Sequence, residues 1–245
     1  MLVIENLNKS FGALKVSHDI SLTVAPGQCH AVIGPNGAGK TTLIHQISGV
    51  LKQDSGRVLL DGQDVSGLSV WQRVQAGMGR TFQITSVLPT FSVLENVATA
   101  IQAKTGSSLK FFALAANEVA LNEKAMAILD RVGLGSRADR ISADLSHGEL
   151  RLLEIAIALA GSPKFLLLDE PMAGLGKSES AALIDLLNEL RSEFPMLLVE
   201  HDMDAVFQLA DVLSVLVDGT IVAHGPPAEV RDDPKARAAY LGDDV

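Results

Sequence analysis

The stretch Gly34-Pro35-Asn36-Gly37-Ala38-Gly39-Lys40-Thr41-Thr42 decides how the rest of the chain is read. A short apolar run at 30–33, with strand character, leads into it, and residues 43–51 after it read as a helix. Strand, glycine-rich loop, then Lys-Thr opening a helix is the setting of a phosphate-binding loop. The glycines let backbone N–H groups converge on phosphate oxygens, and the helix N-terminus adds partial positive charge. Lys40 can reach the β- and γ-phosphates of a nucleoside triphosphate, and the Thr41 hydroxyl can ligate Mg²⁺. A plain glycine-rich turn is the alternative, and the full match to the loop pattern with both flanks weighs against it.

The 245 residues are enough for one large domain or two small ones with a substantial core. At 47% hydrophobic and 20% charged residues, the composition is that of a folded globular protein. Lys and Arg number 20 against 29 Asp and Glu, for a net charge of −9. That balance argues against nucleic acid as the main partner, because phosphate contacts need clustered Lys and Arg. A positive patch within the acidic whole stays open. The single cysteine, Cys29, excludes an internal disulfide and a multi-cysteine zinc site, and reads as a small buried side chain on the strand before the loop. Met1-Leu2-Val3-Ile4-Glu5-Asn6 lacks the basic start and long apolar run of a signal peptide. The apolar runs at 165–168 and 196–199 are too short to cross a bilayer. The expectation is a cytoplasmic protein, at a membrane only if something else holds it there.

Alternation over 2–7 and 20–24 predicts antiparallel strands, followed by strands at 29–33 and 57–61 around the loop and its helix. A short helix is expected over 68–76 and a strand over 78–82. From 86 to about 161 the pattern turns helical. Val93, Val97 and Ile101 recur every four residues behind a Ser92–Glu95 capping box, and Met126, Leu129 and Val132 line a helix over 117–132. This block reads as a helical subdomain inserted into an α/β core made of 1–85 and 162–245, all within one domain. Residues 104–110 read as a loop. The last third returns to α/β: buried strands at 165–168 and 196–199, a helix over 179–191, an Asp218-Gly219 hairpin, and a closing helix over 228–241.

Both buried strands of the last third end in polar groups. Ligands of an open parallel sheet sit at the carboxyl ends of its strands. Asp169 is therefore placed to hold Mg²⁺ through water, and Glu170 to orient an attacking water. An apolar run ending Asp169-Glu170-Pro171 is also what a strand meeting a turn looks like, but the phosphate loop upstream tips the reading. Glu200-His201-Asp202 ends the other strand. There His201 either donates to a γ-phosphate or bonds a neighbouring carbonyl. In Leu145-Ser146-His147-Gly148-Glu149, Ser146 and Glu149 form a capping box ahead of an apolar helix, and a Ser-capped helix start beside a glycine is also an anion site.

Taken in order, Gly34–Thr42, Gln83, Leu145–Glu149, 165–170 and His201 resemble the ATP-binding subunit of an ABC transporter, over essentially the whole chain. The resemblance implies a P-loop NTPase core with an N-terminal antiparallel β subdomain and an inserted helical subdomain. It implies ATP and Mg²⁺ as cofactors, and a head-to-tail dimer in which each ATP lies between one subunit's phosphate loop and the other's signature, Leu145 to Glu149. Phe11 falls where the family stacks an aromatic ring on adenine, and Gln83 where it contacts Mg²⁺ and the membrane partner. The helical block becomes a docking surface for permease helices, which puts the chain on the inner face of the cell membrane. Two positions depart from the common pattern. Glu149 stands where Gln is frequent and adds charge near the phosphate site, and Gly176 stands where Asp is frequent, which puts cross-dimer contacts through that loop in doubt. Arg80-Thr81-Phe82-Gln83, His147-Gly148-Glu149, Val199-Glu200-His201-Asp202-Met203 and Tyr240-Leu241-Gly242 resemble importers of branched-chain amino acids and their urea or amide relatives, which work with a solute-binding protein. The alternatives are a lipid or lipopolysaccharide exporter, a soluble ABC ATPase acting on nucleic acid or ribosomes, and a regulatory module without turnover. The last two fit less well, since the chain has neither paired cassettes nor coiled-coil inserts and keeps Asp169, Glu170 and His201.

Overall fold

Two sheets sandwich one helix at the centre of the molecule, in a computed structural model that describes residues 1–81, 87–105 and 115–238. Strands β1 (Leu2–Phe11) and β2 (Leu14–Val24) pair antiparallel, and β3 (Cys29–Ile33) leads through the glycine-rich loop into helix α1 (Lys40–Ser48). Strands β4 (Ser55–Leu60) and β5 (Gln63–Asp64) complete an antiparallel sheet in the order β2-β1-β4-β5. Helix α2 (Val70–Ala76), strand β6 (Met78–Arg80) and helices α3 (Val93–Thr105), α4 (Ala115–Arg131) and α5 (His147–Ala160) follow. Strand β7 (Phe165–Asp169), helix α6 (Lys177–Leu190), strand β8 (Met196–Val199) and helix α7 (Met203–Leu209) return the chain to the core. The hairpin β9 (Val212–Val217) and β10 (Thr220–Gly225) precedes two short helices, α8 (Pro227–Asp232) and α9 (Pro234–Ala236).

Among the described residues the second sheet has the order β10-β9-β3-β8-β7-β6, parallel except for β10. Its inner strands are apolar on both faces because both are covered. Phe165 and Leu167 of β7 and Leu197 and Val199 of β8 pack with Leu43, Ile44 and Ile47 of α1. Leu166, Leu168, Met196 and Leu198 point the other way, into a core shared with α3, α4, α5 and α6. The expected Val93, Val97, Ile101 and Leu129 stripes are all buried there, and the Ser92–Glu95 box is formed, with Glu95 N–H on Ser92 Oγ at 3.1 Å and Ser92 N–H on Glu95 Oε2 at 2.7 Å.

The C-terminal end of α1 is held by Arg73, which is only 1% exposed. Its guanidinium donates to the carbonyls of Gln46 (2.7 Å), Ile47 (2.5 Å), Ser66 (2.9 Å) and Leu68 (3.2 Å). A cation at the last turn satisfies orphan carbonyls and the negative end of the helix dipole. Gly49 ends α1 at φ 81°, and a Cβ there would meet Arg73 Nε at 2.8 Å.

One expected element is divided. The single helix over 228–241 gives way to α8 and α9 at Asp233, whose ψ of 124° is extended. Pro234 disfavours the helical conformation for the residue before it and has no N–H to continue the ladder, while the Asp233 carboxylate caps Lys235 and Ala236 instead. The strand expected over 78–82 is formed at Met78–Arg80; Thr81 follows it outside the strand, and residue 82 lies outside the described residues.

Behind β3, His30 is fully buried in a relay. Its Nδ1–H donates to the Thr23 carbonyl (3.0 Å), its Nε2 accepts from Ser214 Oγ (2.9 Å), and Ser214 in turn accepts from His224 Nδ1 (2.9 Å). The carbonyl can only accept, which fixes the tautomers along the chain. Burial, reinforced by His224 and opposed by the Thr23 bond, pulls the His30 pKa down to about 4. The unfolded chain therefore binds this proton more tightly than the folded one. The associated stability is complete above the unfolded value near 6.5 and is lost as pH falls towards 4. Between pH 7 and 4, wild type is expected to lose about 3 kcal/mol more unfolding free energy than His30→Gln, as measured by urea titration.

Candidate active site

Parallel pairing of β3 with β8, and of β8 with β7, brings three strand ends side by side. The glycine-rich loop leaves β3, Asp169 and Glu170 end β7, and Glu200 and His201 follow β8. Glu170 N–H donates to Val199 O (2.8 Å) and Glu200 N–H to Val32 O (3.4 Å), so the ends are tied to one another as well as aligned.

The loop closes on itself. Lys40 is 8% exposed and its Nζ donates to the carbonyls of Gly34 (2.5 Å) and Pro35 (3.1 Å). Ala38 N–H returns to Pro35 O, and Ala38 O receives Gly219 N–H from the β9–β10 turn. Asn36, Gly37 and Thr41 are exposed, while Gly34 and Ala38 are buried and Pro35, Gly39 and Thr42 half-buried. Burial lowers the Lys40 pKa, and the nearby Glu170 and Asp169 carboxylates oppose that shift. Gly34 has a steric reason to be glycine: a Cβ would stand 2.0 Å from Leu216 O.

Asp169 is 2% exposed, and burial raises its pKa against the pull of Arg80. The Arg80 guanidinium stands 3.8 Å from Asp169 Oδ2 and donates to Ser48 Oγ at the end of α1 (2.7 Å). Among the described residues Asp169 Oδ2 finds no hydrogen-bond donor. Glu170 follows at φ 48°, left-handed for a non-glycine residue, and its Oε2 lies 3.9 Å from His201 Nδ1. His201 is exposed. Phe11 is 52% exposed at the end of β1 with Lys9 Nζ 5.6 Å from its ring centroid. Gln83 lies outside the described residues, as does Tyr240-Leu241-Gly242.

Leu145, Ser146, His147, Gly148 and Glu149 lie at the start of α5, joined to the loops around α3 through Asn96 and Ser142. Leu145 is buried, Ser146 and His147 are exposed, and the capping box is complete: Glu149 N–H meets Ser146 Oγ at 3.2 Å, and Ser146 N–H meets Glu149 Oε2 at 2.9 Å. The Glu149 charge is not free to add to a phosphate site, as its sequence position suggests. Arg137 Nε binds Glu149 Oε1 at 2.7 Å, and the Ser146 N–H together with Arg137 lowers the carboxyl pKa. A Cβ at Gly148 would fall 2.5 Å from Oε1 at the end of the Glu179 side chain, whose other oxygen accepts the Gly176 N–H at 3.0 Å. Gly176, lacking a capping side chain, is thus served by Glu179.

The sequence pattern of the ABC transporter family matches residues 17–173. The chain belongs to that family. A second pattern, that of the branched-chain amino acid ATP-binding cassette transporter, matches residues 220–245. The chain is 36% identical to the high-affinity branched-chain amino acid transport ATP-binding protein LivG of Escherichia coli (strain K12), over 99% of this chain and 98% of LivG. It is 32% identical to the lipopolysaccharide export system ATP-binding protein LptB of Haemophilus influenzae, over 99% and 98% of the two chains. The ADP conformation of MJ1267, an ATP-binding cassette of an ABC transporter, superposes with a TM-score of 0.87 at 34% identity, covering 99% of each chain. The protein is an ABC ATPase, a transporter subunit with the α/β P-loop fold, and among its described residues no helix is long and apolar enough to cross a membrane.

Arg80 and Glu200 are the residues that sequence reasoning left without a role. Arg80 was legible only as part of a motif, because its partner Asp169 lies 89 positions away in sequence. For Glu200 a signal exists: it directly continues a strand whose four residues are all buried, and its carboxylate is buried as well. Gly34→Ala is expected to lower unfolding free energy by about 2 kcal/mol through this overpacking, in denaturant titrations without nucleotide; an unchanged midpoint would mean the Leu216 contact yields freely.

Proposed function

We propose that this subunit couples Mg-ATP binding, dimer closure and hydrolysis to import of branched-chain amino acids or chemically close small polar solutes. The observation that carries the hydrolytic reading is the convergence of Lys40, Asp169, Glu170 and His201 at adjoining strand ends. The import reading draws on the family pattern at 220–245 and on the LivG likeness, with lipopolysaccharide export as the second reading because of LptB.

In this reading Lys40 leaves the Gly34 and Pro35 carbonyls for the β- and γ-phosphates, and the amides of Gly34–Thr42 take the remaining phosphate oxygens. Phe11 stacks on adenine. Thr41, Gln83 and, through water, Asp169 would hold Mg²⁺, and a buried carboxylate oxygen without a hydrogen bond suits that task. Bound Mg²⁺ supplies neutralising charge to the phosphates. Glu170 orients the attacking water and His201 donates to the γ-phosphate. Leu145 to Glu149 face the ATP of a second ATPase subunit, identical or different. Hydrolysis then rests on positioning and on charge already in place.

The domain boundaries follow the same division: 1–85 with 162–245 for the nucleotide core, and about 86–161 for the helical subdomain. The permease is read onto a cleft of about 270 Å³ between them, lined by Trp71 and Val74 of α2, Arg80, Ala100 of α3 and Ile157 of α5. Docking thus involves α2 as well as the helical block. Lys104 of α3 braces the cleft by donating to the carbonyls of Val74 (3.1 Å) and Gln75 (2.9 Å), and Trp71 is 54% exposed at its rim. The protein would sit on the inner membrane face through that permease, served by a solute-binding protein, with no nucleic acid involved.

Glu170→Gln is expected to keep ATP binding and lower hydrolysis by about a hundredfold or more; unchanged turnover in the permease-bound enzyme would remove Glu170 from this role. Trp71→Ala is expected to weaken co-purification with the permease by about tenfold or more at unchanged ATP affinity. Vesicles holding the complex, its binding protein and ATP should accumulate leucine; extraction of lipopolysaccharide in its place would select the export reading.

A further inference from the structure

We propose that Glu200 is a positioning residue, whose buried carboxylate locks the turn after Glu170 to the loop that carries His201. Glu200 has no exposed surface. Its Oε1 accepts the Met172 N–H at 2.7 Å, two residues past Glu170. Its Oε2 accepts the N–H groups of His201 (2.8 Å) and Asp202 (3.2 Å). One side chain therefore satisfies three backbone donors on two separate loops, that of Met172 in a buried setting and those of His201 and Asp202 in a part-buried one.

The backbone at Glu170 explains why such a lock is needed. A non-glycine residue at φ 48° is strained, and it persists only where its surroundings over-determine it. Glu170 is pinned on both sides: its own N–H donates to Val199 O (2.8 Å), and Met172 N–H is held by Glu200. Both anchors belong to the end of β8, which also launches His201. The His201 ring is 3.7 Å from Glu200 Oε2 and 3.9 Å from Glu170 Oε2. The spacing between the candidate water-orienting carboxylate and the candidate γ-phosphate sensor is thus set by Glu200, which touches neither nucleotide nor water in this role. The consequence for turnover rests on the hydrolytic reading above; the mechanical lock does not.

Glu200→Gln keeps size but offers one acceptor oxygen where two are needed. Amide hydrogen exchange in the full chain, followed on peptides covering 170–175 and 200–204, should then rise about tenfold in at least one of the two loops, with β7 and β8 still protected. In Glu200→Ala both loops should exchange faster. Steady-state ATP hydrolysis by Glu200→Gln should show kcat down about tenfold and ATP affinity within about twofold of wild type, the split expected of a group that orders the reacting residues without binding nucleotide. Retained protection in both loops overturns the lock, and so does an equal loss of kcat and ATP affinity, which marks general damage. If Glu200→Ala does not fold, the exchange pattern of Glu200→Gln decides alone. Faster exchange in Glu200→Gln, combined with undiminished hydrolysis by Glu170→Gln, would uphold the lock and overturn the hydrolytic reading instead.

Discussion

Strand β8 hydrogen-bonds to β3 on one side and to β7 on the other, and the candidate site exists because of that pairing. Parallel strands in register end at the same level, so the loops that leave them meet. The glycine-rich loop lies more than a hundred residues ahead of both the Asp169-Glu170 and the Glu200-His201 pairs, yet all three occupy neighbouring strand ends. The apolar runs of β7 and β8 are what hold this arrangement, since each is buried against α1 on one face and against the helical core on the other.

Around that frame Arg73, Lys40, Arg80 and Glu200 each find polar partners. Arg73 spends its donors on four carbonyls, those of Gln46 and Ile47 at the end of α1 and those of Ser66 and Leu68 in the loop before α2. Lys40 rests on carbonyls of its own loop, Arg80 spans Ser48 and Asp169, and Glu200 collects amides from two turns. A charge taken out of water is tolerable only with such partners. The same groups tie the glycine-rich loop, through α1, Ser48 and Arg80, to the cleft where Arg80 and Trp71 lie.

What was legible in the chain was local. The Ser92 and Ser146 capping boxes depend on neighbours within a turn of helix, and they form as read. Residues 165–168 and 196–199 announced themselves as strands because burial on both faces leaves no room for polar side chains. The break at Asp233-Pro234 was written just as locally, although the expectation was one closing helix over 228–241. Gly148 shows the opposite limit. Its place beside Ser146 suggests room for an anion, whereas the group that stands against it is the Glu179 carboxylate of another helix.

The sequence alone therefore determined the fold family, the order of its elements and the local chemistry of the loop, because those rest on patterns spanning a few residues. Strand order, the Arg80–Asp169 and Arg137–Glu149 pairs, the cap that Arg73 places on α1 and the grip of Glu200 on two loops were decided only by the tertiary structure. Each joins groups whose separation in sequence carries no trace of their distance in space, and that distance is set by the pairing of β3, β8 and β7.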